Sequence, residues 1–326
     1  MKWVLIGLGL CFGIGASAVD LQILVPLYSY PSWYTPASYL WDDVAGMGRE
    51  VPIVAIINPN NGPNGGPPNS DYTHGLNDLR AGGVTILGYV YTSYGARAIT
   101  NVEADIDLYD QYFNINGIFL DEVANTTNQL SYYRQLYQYI KAKPHLSLVF
   151  ANPGTQTDEQ FISSPTADTT VIFENDTGWS AYVPDGYASN YPAGRFAALP
   201  YAASTETLLR SNIDLAVQRN IGYIYVTNDG GSNPWDSLPS YWTQEVAYVK
   251  AYRNLRMTDV TMTGADVRVS FNTISNRLHV LELSADLAGS WTAVTNNLAG
   301  TGGMMQATDF GAAGQTQRFY RVRLLP

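Results

Sequence analysis

Short, nearly continuous apolar runs alternate along this chain with longer stretches whose apolar residues recur at helical spacing. The runs, rich in β-branched and aromatic residues, fall at 22–28, 51–58, 85–91, 117–122, 146–152, 169–175, 196–202 and 222–228. Continuous hydrophobicity, as opposed to strict alternation, marks strands buried on both faces of a parallel sheet. Helices are predicted between them at 36–47, 72–81, 102–112, 129–142, 157–163, 206–219 and 238–253. Eight strands in regular alternation with helices predict an α/β fold of the (β/α)8 TIM-barrel type. A doubly wound open sheet is the alternative, but no G-x-G-x-x-G or Walker turn follows the first run.

After residue 255 the texture changes. Polar and apolar residues alternate in DVRVSF (266–271), HVLEL (279–283) and RFYRV (318–322), separated by Asn-, Gly- and Ala-rich turns. A small antiparallel β-sandwich over 256–326 is the expectation. At the other end, Lys2 precedes an apolar run from Trp3 to Ile14 and the small-residue triplet Ala16-Ser17-Ala18. That is the form of a secretory signal peptide over 1–18, and the run falls short of the ~20 residues of a membrane span. The organisation expected is a signal at 1–18, a barrel at 19–255 and a β-module at 256–326. The protein is expected to be secreted, extracellular or periplasmic, without membrane insertion. Cys11, the only cysteine, lies within the signal, so the mature chain has no thiol nucleophile, disulfide or Cys-ligated metal.

With 28 acidic and 18 basic residues the net charge is −10, which argues against nucleic acid as a partner. The chain carries 24 Tyr and 7 Trp while only 14% of it is charged, a composition suited to sugar faces as well as to core filling. Only His74, His145 and His279 occur, with no paired metal-binding spacing, and no G-x-S-x-G elbow is present. No metal or cofactor is therefore expected, and a serine hydrolase is disfavoured, since His145 precedes its strand at the wrong face.

Chemistry in such a barrel gathers at the carboxyl ends of the strands. There the fourth run ends in Asp121-Glu122 and the sixth in Phe173-Glu174-Asn175, while Asn58, Asn152 and Asn228-Asp229 end the second, fifth and eighth. Asp121, Glu122 and Glu174 are the candidate catalytic residues. Tyr28, Asn58, Tyr91, Asn152, Tyr201 and Asn228 are candidate substrate-binding residues, with Tyr30 on the same rim. Two carboxyls across a glycosidic bond can divide the labour, one protonating the leaving oxygen and the other attacking or stabilising the cationic carbon. Crowding helps, because like charges raise one pKa. Successive strand residues point to opposite sides, so Asp121 and Glu122 both face the barrel only if the strand has already ended. The competing reading of each acid is a helix cap or a salt bridge.

Other features have two readings each. The Gly-, Pro- and Asn-rich stretch 58–68 is either a cover over the site or a rigid connector. Trp179, Trp235, Tyr182 and Tyr187 are stacking platforms or core residues, and Arg97 is a candidate partner for a site acid. Trp291 has the same two readings in the β-module.

The segments LVPLYSYP (24–31), IINPNNGP (56–63), LGYVYTSYG (87–95), GIFLDE (117–122) and NPGT (152–155) together resemble the spherulin-4 family over residues 21–252. His74 stands where a small residue is expected. The resemblance implies a (β/α)8 barrel and a secreted glycoside hydrolase acting on α-1,4-linked N-acetylgalactosamine in a galactosaminogalactan-type exopolysaccharide. It also implies that the family's essential acids correspond to Asp121, Glu122 and Glu174. The expectation is a monomeric hydrolase with a polysaccharide substrate and Asp121 and Glu174 as the central pair. The C-terminal module lies outside the resemblance and is similar to short β-rich tails of many secreted bacterial proteins, a similarity that implies a bacterial source. Stereochemistry is open at this level: a carboxyl separation of ~5–5.5 Å favours retention and ~6.5–9.5 Å inversion, and an acetamido group is an alternative nucleophile. The rival reading is a non-catalytic polysaccharide-binding coat, matrix or adhesion protein.

Overall fold

The computed structural model describes residues 4–7, 20–286, 289–315 and 317–325. Apart from 4–7, the expected signal peptide lies outside the described residues. The chain divides into two compact units, one spanning 21–249 and the other 1–20 with 250–326.

In the first unit, strands β1 (Gln22–Leu27), β2 (Ile53–Ile57), β3 (Thr85–Tyr91), β4 (Gly117–Asp121), β5 (Leu148–Ala151), β6 (Thr169–Asn175), β7 (Phe196–Pro200) and β8 (Tyr223–Ile224) form a closed parallel barrel in chain order. Gln22 and Ile23 pair with Tyr223 and Ile224 to close it. This is the TIM barrel that the eight apolar runs predict. The helices are α1 (Leu40–Met47), α2 (Ser70–Ala81), α3 (Ile99–Tyr112), α4 (Leu130–Lys141), α5 (Gln160–Ser163), α6 (Glu206–Gln218) and α7 (Trp242–Asn254). Beyond Ile224 the pairing continues as Tyr225 N–H to Ala198 O at 3.2 Å and Thr227 N–H to Pro200 O at 3.3 Å, while the intervening Val226 N–H donates to the buried Glu245 of α7 at 2.8 Å. Burial raises the Glu245 carboxyl well above the usual carboxylate range.

Ladder register assigns each side chain a side. A Cβ on Gly88 would lie 2.7 Å from the Tyr109 ring of α3, so Gly88 faces the helices. Alternation and pairing then turn Tyr28, Tyr89, Tyr91, Asp121 and Asn152 inward. β6 alone departs from simple alternation. Its register to β7 shifts between Val171, paired with Ala197, and Phe173, paired with Ala198. The extra residue, Ile172, inverts the parity of the strand end, so that Glu174 faces the barrel interior.

In the second unit, β9 (Met257–Thr263), β10 (Asp266–Asn272) and β13 (Met304–Asp309) form a three-stranded sheet in the order β9-β10-β13. The second sheet contains β11 (Leu278–Ser284), β12 (Thr292–Ala299) and β14 (Gln317–Leu324). Its order is Val4–Gly7, β14, β11, β12. Both sheets are antiparallel, and Val269, Phe271, Leu281 and Tyr320 fill the space between them. This is the predicted β-sandwich. Trp291 lies half-buried under the Arg321 guanidinium, 4.4 Å from its ring centre. His279 is fully buried: Nε2 accepts the Ile274 N–H, which leaves Nδ1–H to donate to Arg277 O at 3.0 Å.

Two glycines give opposite expectations. A Cβ on Gly117 would sit 2.1 Å from the Leu148 carbonyl oxygen, inside the β4–β5 ladder. Gly117→Ala should destabilise the protein by about 3 kcal/mol, because backbone cannot move aside as a side-chain tip can. Gly46, on the exposed side of α1, has nothing within 4 Å of such an atom. Gly46→Ala should stabilise by about 0.5–1 kcal/mol, and thermal melts followed by circular dichroism distinguish the two.

Candidate active site

Asp121, the last residue of β4, and Glu174, near the end of β6, come together over β5. Asn152 follows β5 and is buried, and its Nδ2 donates to Asp121 Oδ1 at 2.8 Å and to Glu174 Oε2 at 2.5 Å. Its Oδ1 accepts the Gly154 N–H at 2.9 Å, which fixes the amide orientation. One nitrogen shared between two carboxylates holds those oxygens within about 5.3 Å of each other, the sum of the two bonds. Gly154 is left-handed, with φ +66, and even a Cβ there would already touch Glu174. Its carbonyl accepts the Glu174 N–H at 3.0 Å.

The two acids differ in their surroundings. Asp121 Oδ2 also accepts the Tyr89 hydroxyl at 2.8 Å, and the Glu122 backbone is a further donor. Burial still raises the Asp121 carboxyl above its ordinary value. Glu174 has Asn152 and the Trp235 indole as donors, and burial, reinforced by the Asp121 charge, pushes it up to about 7. None of the ion pairs among the described residues involves Asp121, Glu122 or Glu174. The salt-bridge reading of these acids is thereby set aside.

Glu122 lies just beyond the end of β4 with φ +50, so it escapes strand alternation. Its half-buried side chain stays close enough for its charge to raise both Asp121 and Tyr89. Its left-handed backbone is braced by the β3–α3 loop. The Tyr94 N–H donates to Glu122 O at 2.6 Å, and buried Thr92 Oγ1 lies 3.0 and 2.8 Å from the carbonyls of Asp121 and Glu122. Ser93 and Tyr94 are themselves left-handed, at φ 50 and 55. Such strain persists only where surrounding bonds over-determine it.

Of the other predicted site residues, Tyr28 faces both acids, whose charges join burial in raising its hydroxyl well above the usual tyrosine range. Tyr201 packs edge-on against Trp235 at 5.6 Å, within reach of the Glu174 charge. Tyr91 pairs in register with Asp121, under the Arg97 guanidinium. Asn58 and Asn228 are tied into their loops, accepting the Gly62 and Ser240 N–H groups. Arg97 pairs with Asp105 at 2.6 Å, not with a site acid. Trp179 is buried, its indole donating to Asn212 O, and Tyr182 and Tyr187 donate to backbone carbonyls. Tyr89 is the residue that the strand-end criterion overlooks. It lies two positions inside β3, on the same face as Tyr91, where period-two alternation finds it.

Residues 22–249 match the family model of spherulation-specific family 4. This chain belongs to that family. It is 36% identical over 246 residues to Spherulin-4 of Physarum polycephalum, covering 72% of each chain. The crystal structure of Aspergillus clavatus Sph3, solved in complex with GalNAc, superposes with a TM-score of 0.59 at 26% identity. The match covers 71% of this chain and 97% of Sph3. The family match spans the barrel unit and every one of the catalytic candidates, and stops short of the β-sandwich strands.

The Glu174 environment has a consequence for stability. A native value of about 7 against an ordinary 4.5 means that the folded state holds this proton after the unfolded chain has released it. Stability from this group is therefore full below about 4.5, declines as pH rises to about 7, and stays low above, by roughly 3 kcal/mol in all. Glu174→Gln should flatten the fall in melting temperature over that interval. At pH 8 its stability relative to the parent should be higher by roughly 2–3 kcal/mol than at pH 4.

Proposed function

We propose that the protein is an exported glycoside hydrolase that cleaves an amino-sugar exopolysaccharide at α-1,4-linked N-acetylgalactosamine. The observation that carries the reading is the Asn152 bridge between two carboxyls with different surroundings. Glu174, protonated near neutrality, is the general acid for the leaving oxygen. Asp121, with more donors around it, is the ionised partner that attacks or stabilises the sugar carbon. Glu122 adds negative charge beside them. Membership of the family and the likeness to Sph3, which was crystallised with GalNAc, support the choice of sugar. The apolar run and small-residue triplet of residues 1–18 support export.

The short carboxyl separation favours retention through a covalent intermediate on the enzyme. Incubation with galactosaminogalactan should release soluble oligosaccharides, detected by mass spectrometry. Proton NMR during the first turnovers should find the new reducing ends as the α anomer. Glu174→Gln and Asp121→Asn should each lower kcat by about 10²–10⁴. Polymer bound with no fragments released, from this or any other polysaccharide, is the outcome of a purely binding protein.

The pH profile follows from the same assignment. The general acid must carry its proton, so kcat/KM should fall above about pH 7, where Glu174 ionises. Removing the Tyr89 hydroxyl takes away a donor to the ionised form of Asp121. In Tyr89→Phe the acidic limb, set by Asp121, should therefore move to higher pH, with kcat/KM on its plateau reduced about tenfold.

A further inference from the structure

The loop after β1 carries three exposed aromatics, Tyr30, Trp33 and Tyr34, at 45%, 44% and 59% exposure. They lie at the carboxyl end of the strand, on the barrel face that holds the two acids. Tyr28 of the same segment lines the acid pair, and Trp33 follows five residues later. The chain turns tightly there, with Ser32 N–H bonded to Tyr30 O and Trp33 N–H to Pro31 O. Trp33 is thus no more than about 18 Å from Tyr28 along the backbone, a span of a few sugar rings.

Trp33 is held firmly for an exposed side chain. Its indole N–H donates to Asp71 Oδ1 at 3.0 Å, while Asp71 Oδ2 accepts the Tyr30 hydroxyl at 2.8 Å. One face of the indole stacks on His74, centre to centre 4.6 Å and 19° from parallel. Tyr34 meets it edge-on at 6.0 Å. His74 in turn contacts Asp78 of the next helical turn at 3.3 Å. The ring thus has its one polar atom satisfied and one face backed, an arrangement suited to an apolar face laid against it. A pyranose presents such a face of C–H groups, and a pre-oriented ring loses little entropy on binding it.

We propose that Trp33, backed by His74 and oriented by Asp71, is a second sugar-binding subsite that stacks on a ring of the polymer remote from the bond being cut. The assignment rests on the hydrolase reading above for the identity of the polymer. It accounts for His74 at a position where a small residue would leave the indole unsupported.

The test uses the full chain with Trp33→Ala and Trp33→Phe. In a Glu174→Gln background, affinity electrophoresis through galactosaminogalactan should give a Kd about tenfold weaker for Trp33→Ala, with only part of the loss restored by Trp33→Phe, which keeps an aromatic face but lacks the N–H that Asp71 holds. In the active background, the ratio of kcat/KM on the polymer to that on a trisaccharide should fall about tenfold in Trp33→Ala. Unaltered polymer binding overturns the proposal, and so does an equal loss on polymer and trisaccharide. If the parent releases no fragments yet its retardation by the polymer depends on Trp33, the hydrolase reading falls and the subsite stands.

Discussion

A single side-chain amide holds the centre of this protein. Asn152 offers its two N–H groups to two carboxylates from different strands, and its oxygen is occupied by the Gly154 backbone. Two acids in a poorly solvated mouth repel one another and resist ionisation. The shared donor brings them together without neutralising them, as an arginine would. The result is a pair with unequal proton affinities, one carboxyl well supplied with donors and the other supplied less well. In the proposed hydrolase that inequality divides acid and base roles between the two carboxyls on one barrel rim.

The fold delivers these groups through strand parity. Five inward positions follow from alternation and register, and the sixth, Glu174, needs the extra residue at Ile172. Glu122 needs a left-handed turn just past the strand, locked by Thr92 and Tyr94 of the neighbouring loop. Both devices are local departures from regular β structure beside the site. Bulges and strained turns gather at functional sites because they re-aim side chains there.

Much of this was legible in the chain itself. Continuous apolar runs identified the parallel strands, and their ends pointed to Tyr28, Asp121, Asn152, Glu174 and Tyr201. The alternating pattern beyond residue 255 foretold the β-sandwich. What stayed hidden is what depends on local backbone geometry. Counting by twos along β6 from Val171 places Glu174 on the helix side, and no residue type at 172 announces a bulge. Asn58 and Asn228 looked like Asn152 in sequence, yet turn geometry draws their oxygens into loop hydrogen bonds. Arg97 found Asp105 because α3 brings that carboxylate closer than any site acid. Tyr89 was within reach of period-two reasoning, and only attention to the final residue of each strand passed over it.

The central claim is that Glu174 keeps its proton near neutrality because it is buried beside a second carboxyl. Carboxyl carbon-13 NMR across a pH titration, with Glu174 assigned through Glu174→Gln, measures this directly. The account predicts a midpoint near 7 for Glu174, moving downward in Asp121→Asn once the neighbouring charge is gone. A midpoint in the ordinary glutamate range near 4.5, indifferent to Asp121, would contradict it.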